Sequence, residues 1–141
     1  MFRAIRKKKN EIGTEAAEQL LLESRRGVLA VNGVEGYPYA IPINFYFDKE
    51  NRKIYFHGAK AGHKIEALRA CDKVCFTVYG NETIKEEAWA PFVQSAVVFG
   101  RCCLVENDPE LVENAPEEVK KALENYCKLA KEQYDFAMSL M

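Results

Sequence analysis

No apolar run in this chain approaches the roughly 20 residues that a membrane-spanning helix needs. The opening residues also lack the apolar middle of a secretion signal, so a cytoplasmic protein is the expectation. Positive charge is not in excess either: 20 Lys+Arg stand against 21 Asp+Glu, a net charge of −1. That balance argues against a dedicated nucleic-acid binder. Arg3, Arg6, Lys7, Lys8 and Lys9 cluster at the start, and a solvated leading segment is expected there rather than a nucleic-acid or membrane arm. The cysteines, Cys71, Cys75, Cys102, Cys103 and Cys127, are odd in number, lie within apolar segments, and show no two-residue gap of a zinc knuckle. Reduced, buried thiols are expected, and no metal site is expected from them with His57 and His63. Internal repeats and low-complexity segments are absent. At 141 residues the chain is expected to form a single domain, 1–141, burying about two thirds of its unfolded surface.

Against these absences one segment stands out: Phe56-His57-Gly58-Ala59-Lys60-Ala61-Gly62-His63-Lys64. An apolar strand precedes it and a helical pattern follows. Two glycines bracket a turn whose backbone can approach a ligand, and the helix start aims unpaired N–H groups and partial positive charge back into that turn. Lys60, His63 and Lys64 add donors at the same place. Such a constellation suits an anion, a phosphate above all, although these side chains alone would read as a solvated helix start.

Elsewhere the pattern is β-structure framed by helices. Thr14 is the expected N-cap of a helix over about 14–24, with Ala17, Leu20 and Leu21 on one face, and Gly27 beyond its end. Residues 27–32 read as a buried strand and 33–36 as a hairpin loop. From Tyr37 to Phe47 the odd positions are all large and apolar, which predicts one long strand with a core-facing side. Its even positions, Pro38, Ala40, Pro42, Asn44 and Tyr46, are mostly small or rigid. Since proline donates nothing to a ladder, this strand must be an edge, a bulge or open to something other than a strand.

A polar turn at 48–52 leads to a strand at 53–57, with Ile54 and Phe56 on one side and Tyr55 and His57 on the other. Ile65 and Leu68 mark a short amphipathic helix, and Val74, Phe76 and Val78 alternate in the next strand. Residues 79–91, with Trp89, read least clearly. A strand over 94–105 is expected to bulge at Gly100. Asp108-Pro109 forms a turn, and Pro116 opens a helix over about 116–136 carrying Val119, Leu123, Tyr126 and Ala130. Five or six strands in hairpin succession predict a mostly β fold with flanking α, an antiparallel barrel over about 27–106. A barrel this small fills its own interior, so a ligand belongs on an outer edge or between subunits.

The series Gly27-Val28-Leu29-Ala30, Gly36-Tyr37-Pro38-Tyr39-Ala40-Ile41-Pro42-Ile43-Asn44-Phe45, Ile54 to Ala59, Gly62 to Leu68, Val74-Cys75-Phe76 and Ser95 to Arg101 resembles the FMN-binding split-barrel superfamily. Within it the chain is most similar to the pyridoxamine 5′-phosphate oxidase-related branch that includes the Nim nitroimidazole-resistance proteins. The likeness runs from about Ile5 to Glu106 and is specific as a set rather than in any one piece. It implies an antiparallel split β-barrel with the PNP-oxidase-like FMN-binding fold, forming a homodimer with FMN in a groove between subunits. By that resemblance His63 and Lys64 grip the phosphate, with Phe56, His57, Gly58 and Gly62 beside it. Tyr39, Ala40, Ile41, Pro42 and Asn44 run along the isoalloxazine, and Ser95 is the polar flavin contact on the later strand. Two departures follow from the same comparison: His63 stands where Arg or Ser is more usual, and the chain reaches Met141 without the further strand that often returns to the barrel.

The implied activity is oxidation of NAD(P)H through FMN with reduction of a small oxidised acceptor, a nitroaromatic among them. The alternative is a flavin or haem carrier or sensor without turnover. His57 is the candidate catalytic proton donor, its equal alternative being a core histidine bonded to backbone. Trp89 and Tyr79 are expected as barrel plugs rather than substrate platforms, and Cys75 as packing. A single-stranded nucleic-acid barrel would instead need exposed aromatics flanked by Lys and Arg.

Overall fold

The computed structural model describes residues 3, 5, 6, 8–58, 62–84, 91–104, 116, 117 and 136–140. Helix α1 (Gly13–Glu23) precedes β1 (Arg26–Asn32), β2 (Pro38–Asn44), β3 (Tyr46–Asp48) and β4 (Lys53–Gly58). Helix α2 (His63–Ala70), β5 (Lys73–Ile84), β6 (Pro91–Leu104) and β7 (Phe136–Leu140) complete the order. Every strand pairing is antiparallel, in the sheet order β2-β1-β5-β6-β7-β4-β3.

That order forces curvature. β2 and β3 are the two edge strands of the sheet, yet only Phe45 separates them in the chain. The sheet must therefore curl until its edges meet at Phe45, which is the split-barrel architecture. Inside it lie Leu29, Val31, Ile43, Phe47, Phe76 and Val78, with Leu20 of α1 and Ile65 and Leu68 of α2 closing the core.

Several expectations change on this framework. The long strand over 37–47 breaks at Phe45, and Tyr37, expected on the core side, is 78 % exposed. The alternation does hold at Ile43 and Phe47, both buried, and Pro38 and Pro42 sit on an edge strand as their missing donors require. Helix α1 starts at Gly13 after Ile12, with no side-chain cap, so Thr14 is not the N-cap. It ends on Ser24, whose backbone N–H and hydroxyl both donate to the Leu20 carbonyl, at 3.0 and 2.7 Å. Strand β4 is buried on both sides, Tyr55 as well as Ile54 and Phe56. The register shift in the β5–β6 pair falls between Gly80 and Thr83, not at Gly100, which pairs regularly with Val74. There Asn81 adopts a positive φ of 53°. Tyr79 is no barrel plug: it is 69 % exposed, while Trp89 lies outside the described residues.

The largest correction is at the C-terminal end. A strand does return to the barrel: β7 pairs with β4 from Ile54↔Leu140 to Gly58↔Phe136 and with β6 from Cys102↔Leu140 to Leu104↔Met138. Five residues thus join β4 and β6 into one hydrogen-bonded sheet. The expected helix over 116–136 is helical at Glu117 and has already become strand at Phe136; residues 118–135 lie outside the described residues. Among described cysteines, Cys102 is buried and Cys71, Cys75 and Cys103 are half-buried, all as free thiols. No described helix is long and apolar enough to cross a membrane.

Turn chemistry matches the sequence more closely. The Gly33 N–H donates to the Tyr37 carbonyl at 2.9 Å and the Gly36 N–H to the Gly33 carbonyl at 3.1 Å, closing the β1–β2 hairpin. Between β3 and β4 the buried carboxylate of Asp48 accepts from the Asn51 backbone N–H and side-chain amide, at 3.3 and 2.8 Å. A buried charge held this way satisfies its lone pairs within the turn. Burial, and secondarily this carboxylate, push the Tyr55 phenol above its ordinary pKa.

Candidate cofactor site

The strand–turn–helix unit forms as the glycine spacing suggests. β4 ends at Gly58 and α2 begins directly after Gly62, whose φ of 130° and ψ of 177° are open only to a residue without Cβ. Gly62 accepts the first helical bond, from the Glu66 N–H at 3.1 Å. The rest of the turn, Ala59, Lys60 and Ala61, lies outside the described residues. His57 and Gly58 are ladder residues opposite Ala137 and Phe136, and the imidazole of His57 lies outside the described side chains.

The two side chains at the helix start, His63 and Lys64, do not share the same surroundings. His63 turns toward β2, its ring stacked on Tyr39 with centroids 4.3 Å apart and planes 12° from parallel. Beside it a Cβ on Gly33 would overlap the Tyr37 carbonyl oxygen, so glycine lets the hairpin backbone close there. Lys64 turns the other way, half-buried, with Nζ 5.9 Å from the Phe56 ring centroid. Phe56 and Cys102 reach this spot from strands β4 and β6, which β7 joins. Burial lowers the Lys64 pKa from its ordinary 10.5, and the nearby Cys102 opposes that shift. Burial first, then Cys103, pushes the Cys102 thiol up to about 12, with Lys64 pulling the other way. Among the described residues no carboxylate pairs with Lys64.

The remaining expected site residues divide between two sides of the sheet. Tyr39 and Ile41 are half-buried and pack against the core. Ala40, Pro42 and Asn44 are exposed on the outer side, where the Asn44 side-chain Oδ1 accepts from Arg26 Nε at 3.1 Å. Ser95 is exposed on that same outer side, opposite Tyr79. The faces can be traced through register: Pro42 lies opposite Val28, Val28 opposite Thr77, and Thr77 opposite Val97. Ser95 is nonetheless three strands from β2, about 14 Å at the usual strand spacing, so one chain does not bring it against the β2 backbone.

One feature of this face had no sequence expectation attached. Val93, Val97 and Phe99 of β6 are 48, 51 and 53 % exposed, beside the exposed Tyr79 of β5. The even positions Ala96 and Val98 pack on the core instead. A strand apolar on both faces is covered on both, and that signal was readable in residues 93–99. A contiguous exposed apolar patch marks an interaction surface.

The family model described as pyridoxamine 5′-phosphate oxidase matches residues 13–135, and the chain belongs to that family. No curated protein matches the chain. Among solved structures the chain is similar to a protein of Bacteroides thetaiotaomicron provisionally assigned to 5-nitroimidazole antibiotic resistance. That pair is 18 % identical, covers 92 % of this chain and 80 % of the other, and has a TM-score of 0.66. A FAD-binding protein of Mesorhizobium loti is 20 % identical over 92 % of this chain and 88 % of its own, TM-score 0.64. A flavocytochrome of Azotobacter vinelandii is 17 % identical over 92 % and 64 %, TM-score 0.65. These likenesses establish the fold.

Proposed function

We propose that this protein is an FMN-dependent oxidoreductase that takes electrons from NADH or NADPH and passes them to a small oxidised acceptor, nitroaromatics included. The observation that carries the reading is Lys64: a half-buried ammonium without a carboxylate partner among the described residues, directly after the Gly62 turn. Such a group is costly unless an anion meets it, and a flavin phosphate supplies one. The cradle suits the rest of the cofactor. Exposed Ala40 and Pro42 leave room for a flat ring on an edge strand, and unpaired backbone groups there can bond its polar rim. His63, set over Tyr39, faces β2 rather than the surroundings of Lys64.

The flavin, when bound, supplies the hydride and electron chemistry. The chain's own tasks are to neutralise the phosphate through Lys64, to orient the ring along β2, and to present the His57 imidazole as proton donor to the reduced acceptor. Family membership supports the flavin. The fold neighbours named for 5-nitroimidazole resistance, FAD binding and a flavocytochrome support it further.

In this reading the chain is a homodimer, with a second copy covering the apolar face of β5 and β6. Because Ser95 lies about 14 Å from β2 within one chain, it reaches a flavin only when donated across that seam. Val97→Asp places a carboxylate in the patch and is expected to weaken self-association at least tenfold by sedimentation velocity, with flavin loss following. A variant that remains dimeric removes this face as the seam.

The direct test is the absorbance spectrum after incubation with FMN, together with thermal protection. A bound flavin band and a raised Tm are expected. A colourless protein that gains no protection overturns the reading. NADH or NADPH oxidation with a panel of acceptors then separates enzyme from carrier, since binding without turnover on any acceptor leaves a flavin carrier.

A further inference from the structure

Tyr39 and His63 join the two elements between which the proposed site is divided. Tyr39 belongs to β2 and His63 opens α2, and their rings stack with centroids 4.3 Å apart and planes 12° from parallel. The stack lies off the ring cradle. Successive residues of a strand face opposite ways, so Tyr39 packs inward on the core while its neighbour Ala40, with Pro42, forms the exposed outer side. It lies off the lysine as well, because Lys64 turns away from His63 toward Phe56.

We infer that the Tyr39–His63 stack is a positioning clamp, which ties the phosphate-binding turn to the strand that carries the flavin ring and fixes their separation. Resting on the flavin reading above, this role is one of spacing rather than contact. It differs from the part that the family resemblance gives His63, a direct grip on the phosphate.

Both ends of the clamp are anchored. On β2, Tyr39 lies opposite the buried Val31, and two residues earlier the Tyr37 carbonyl accepts from the Gly33 N–H at 2.9 Å to close the hairpin. On α2, Ile65 and Leu68 are buried and hold the helix body in the core. The helix start between them is open. Gly62 has a φ of 130° and nothing within 4 Å of where a Cβ would stand, and His63 is itself exposed. The stacked imidazole is thus the contact that sets where this start lies against β2. A ligand held at two points gains when their separation is preset, since the second contact then forms within one complex. Loosening the clamp therefore weakens a ligand that spans both points and spares one that uses the strand alone.

The test is a titration by fluorescence quenching with FMN and with riboflavin, which has the ring but no phosphate. His63→Ala and Tyr39→Leu should each weaken FMN about five- to tenfold, the scale of one aromatic pair, and leave riboflavin unchanged. The double variant should lose no more than either alone, because both remove one interaction. His63→Phe keeps a ring to stack but no charge and no N–H, and it should bind FMN as the wild type does, as should Tyr39→Phe. Since His63 is exposed, its two variants carry the test even where Tyr39→Leu disturbs the core. The stack is also read without any flavin. The chain has two histidines, so His63→Phe assigns the His63 ring-proton signals, and Tyr39→Leu should shift them as the ring current is lost. Equal loss of FMN in His63→Phe and His63→Ala would make His63 a phosphate contact. Loss of riboflavin in Tyr39→Leu would make Tyr39 a ring contact, and additive losses or unmoved histidine signals would mean that the rings do not act as a pair. Each of these overturns the clamp while FMN binding stands, whereas a wild-type protein that binds neither ligand overturns the flavin reading and the clamp together.

Discussion

Lys64→Met is expected to reduce FMN affinity roughly 100-fold, the scale of one charge-assisted hydrogen bond to a buried-side cation, while the folded protein keeps or gains thermal stability. The two effects have opposite sign because Lys64 is unfavourable for the empty fold and favourable for the loaded one. Burial lowers its pKa below 10.5, so the unfolded chain binds that proton more tightly than the folded chain. Linkage then sets the direction: stability of the flavin-free protein rises as pH climbs through the lowered folded value toward 10.5, and below that window the penalty is present in full. Across the same window FMN affinity falls, because the ammonium is being lost. Methionine fills a similar volume and removes both slopes. Flavin titration by fluorescence quenching and thermal melts across pH 7–11 read the two quantities separately. A variant that retains FMN at wild-type affinity takes Lys64 out of the site; a variant that unfolds shows the lysine to be structural.

Half of that prediction is legible in the sequence. Gly58 and Gly62 marked the turn and Lys64 the cation, because glycine spacing and a helix start are local features. The separation of His63 from Lys64 was not, since it depends on what surrounds the helix: Tyr39 from β2 on one side, Phe56 and Cys102 from β4 and β6 on the other. Ser95 shows the same limit. Period-two patterning identifies its strand, but its distance from β2 is set by β1 and β5 lying between them in the sheet. The long strand over 37–47 was readable as apolar alternation. Its break at Phe45 was not, because curling of a seven-stranded sheet imposes it. The return of β7 to the barrel escaped notice for a related reason. Residues 136–140 form too short a run to declare themselves, and only the unpaired edges of β4 and β6 make a strand of them.

The second large effect concerns that corner. Gly27 is buried on β1, and a Cβ there would overlap the far end of the Phe76 ring. Phe76 has no exposed surface and meets Phe45 edge-on, with centroids 4.8 Å apart and planes at 71°. Phe45 is the residue at which β2 becomes β3. A methyl group on Gly27 therefore presses the fully buried Phe76 toward the hinge that lets the sheet edges meet. Gly27→Ala is expected to cost about 3 kcal/mol, at the upper end of ordinary overpacking, which for a chain of this length lowers Tm by roughly 10 °C. Phe76→Ala should cost about 3–5 kcal/mol for the opposite reason, a cavity where a ring was. The pair distinguishes a shared contact from two separate defects. With Phe76→Leu the ring end that meets residue 27 is gone, so Gly27→Ala in that background should cost under about 1 kcal/mol, a strongly non-additive result for neighbours in contact. Denaturant melts of the four proteins measure the cycle. Strict additivity would mean that the strain of Gly27→Ala is relieved by movement of β1 rather than passed through Phe76 to the corner, and the position of Phe45 would then owe nothing to the glycine.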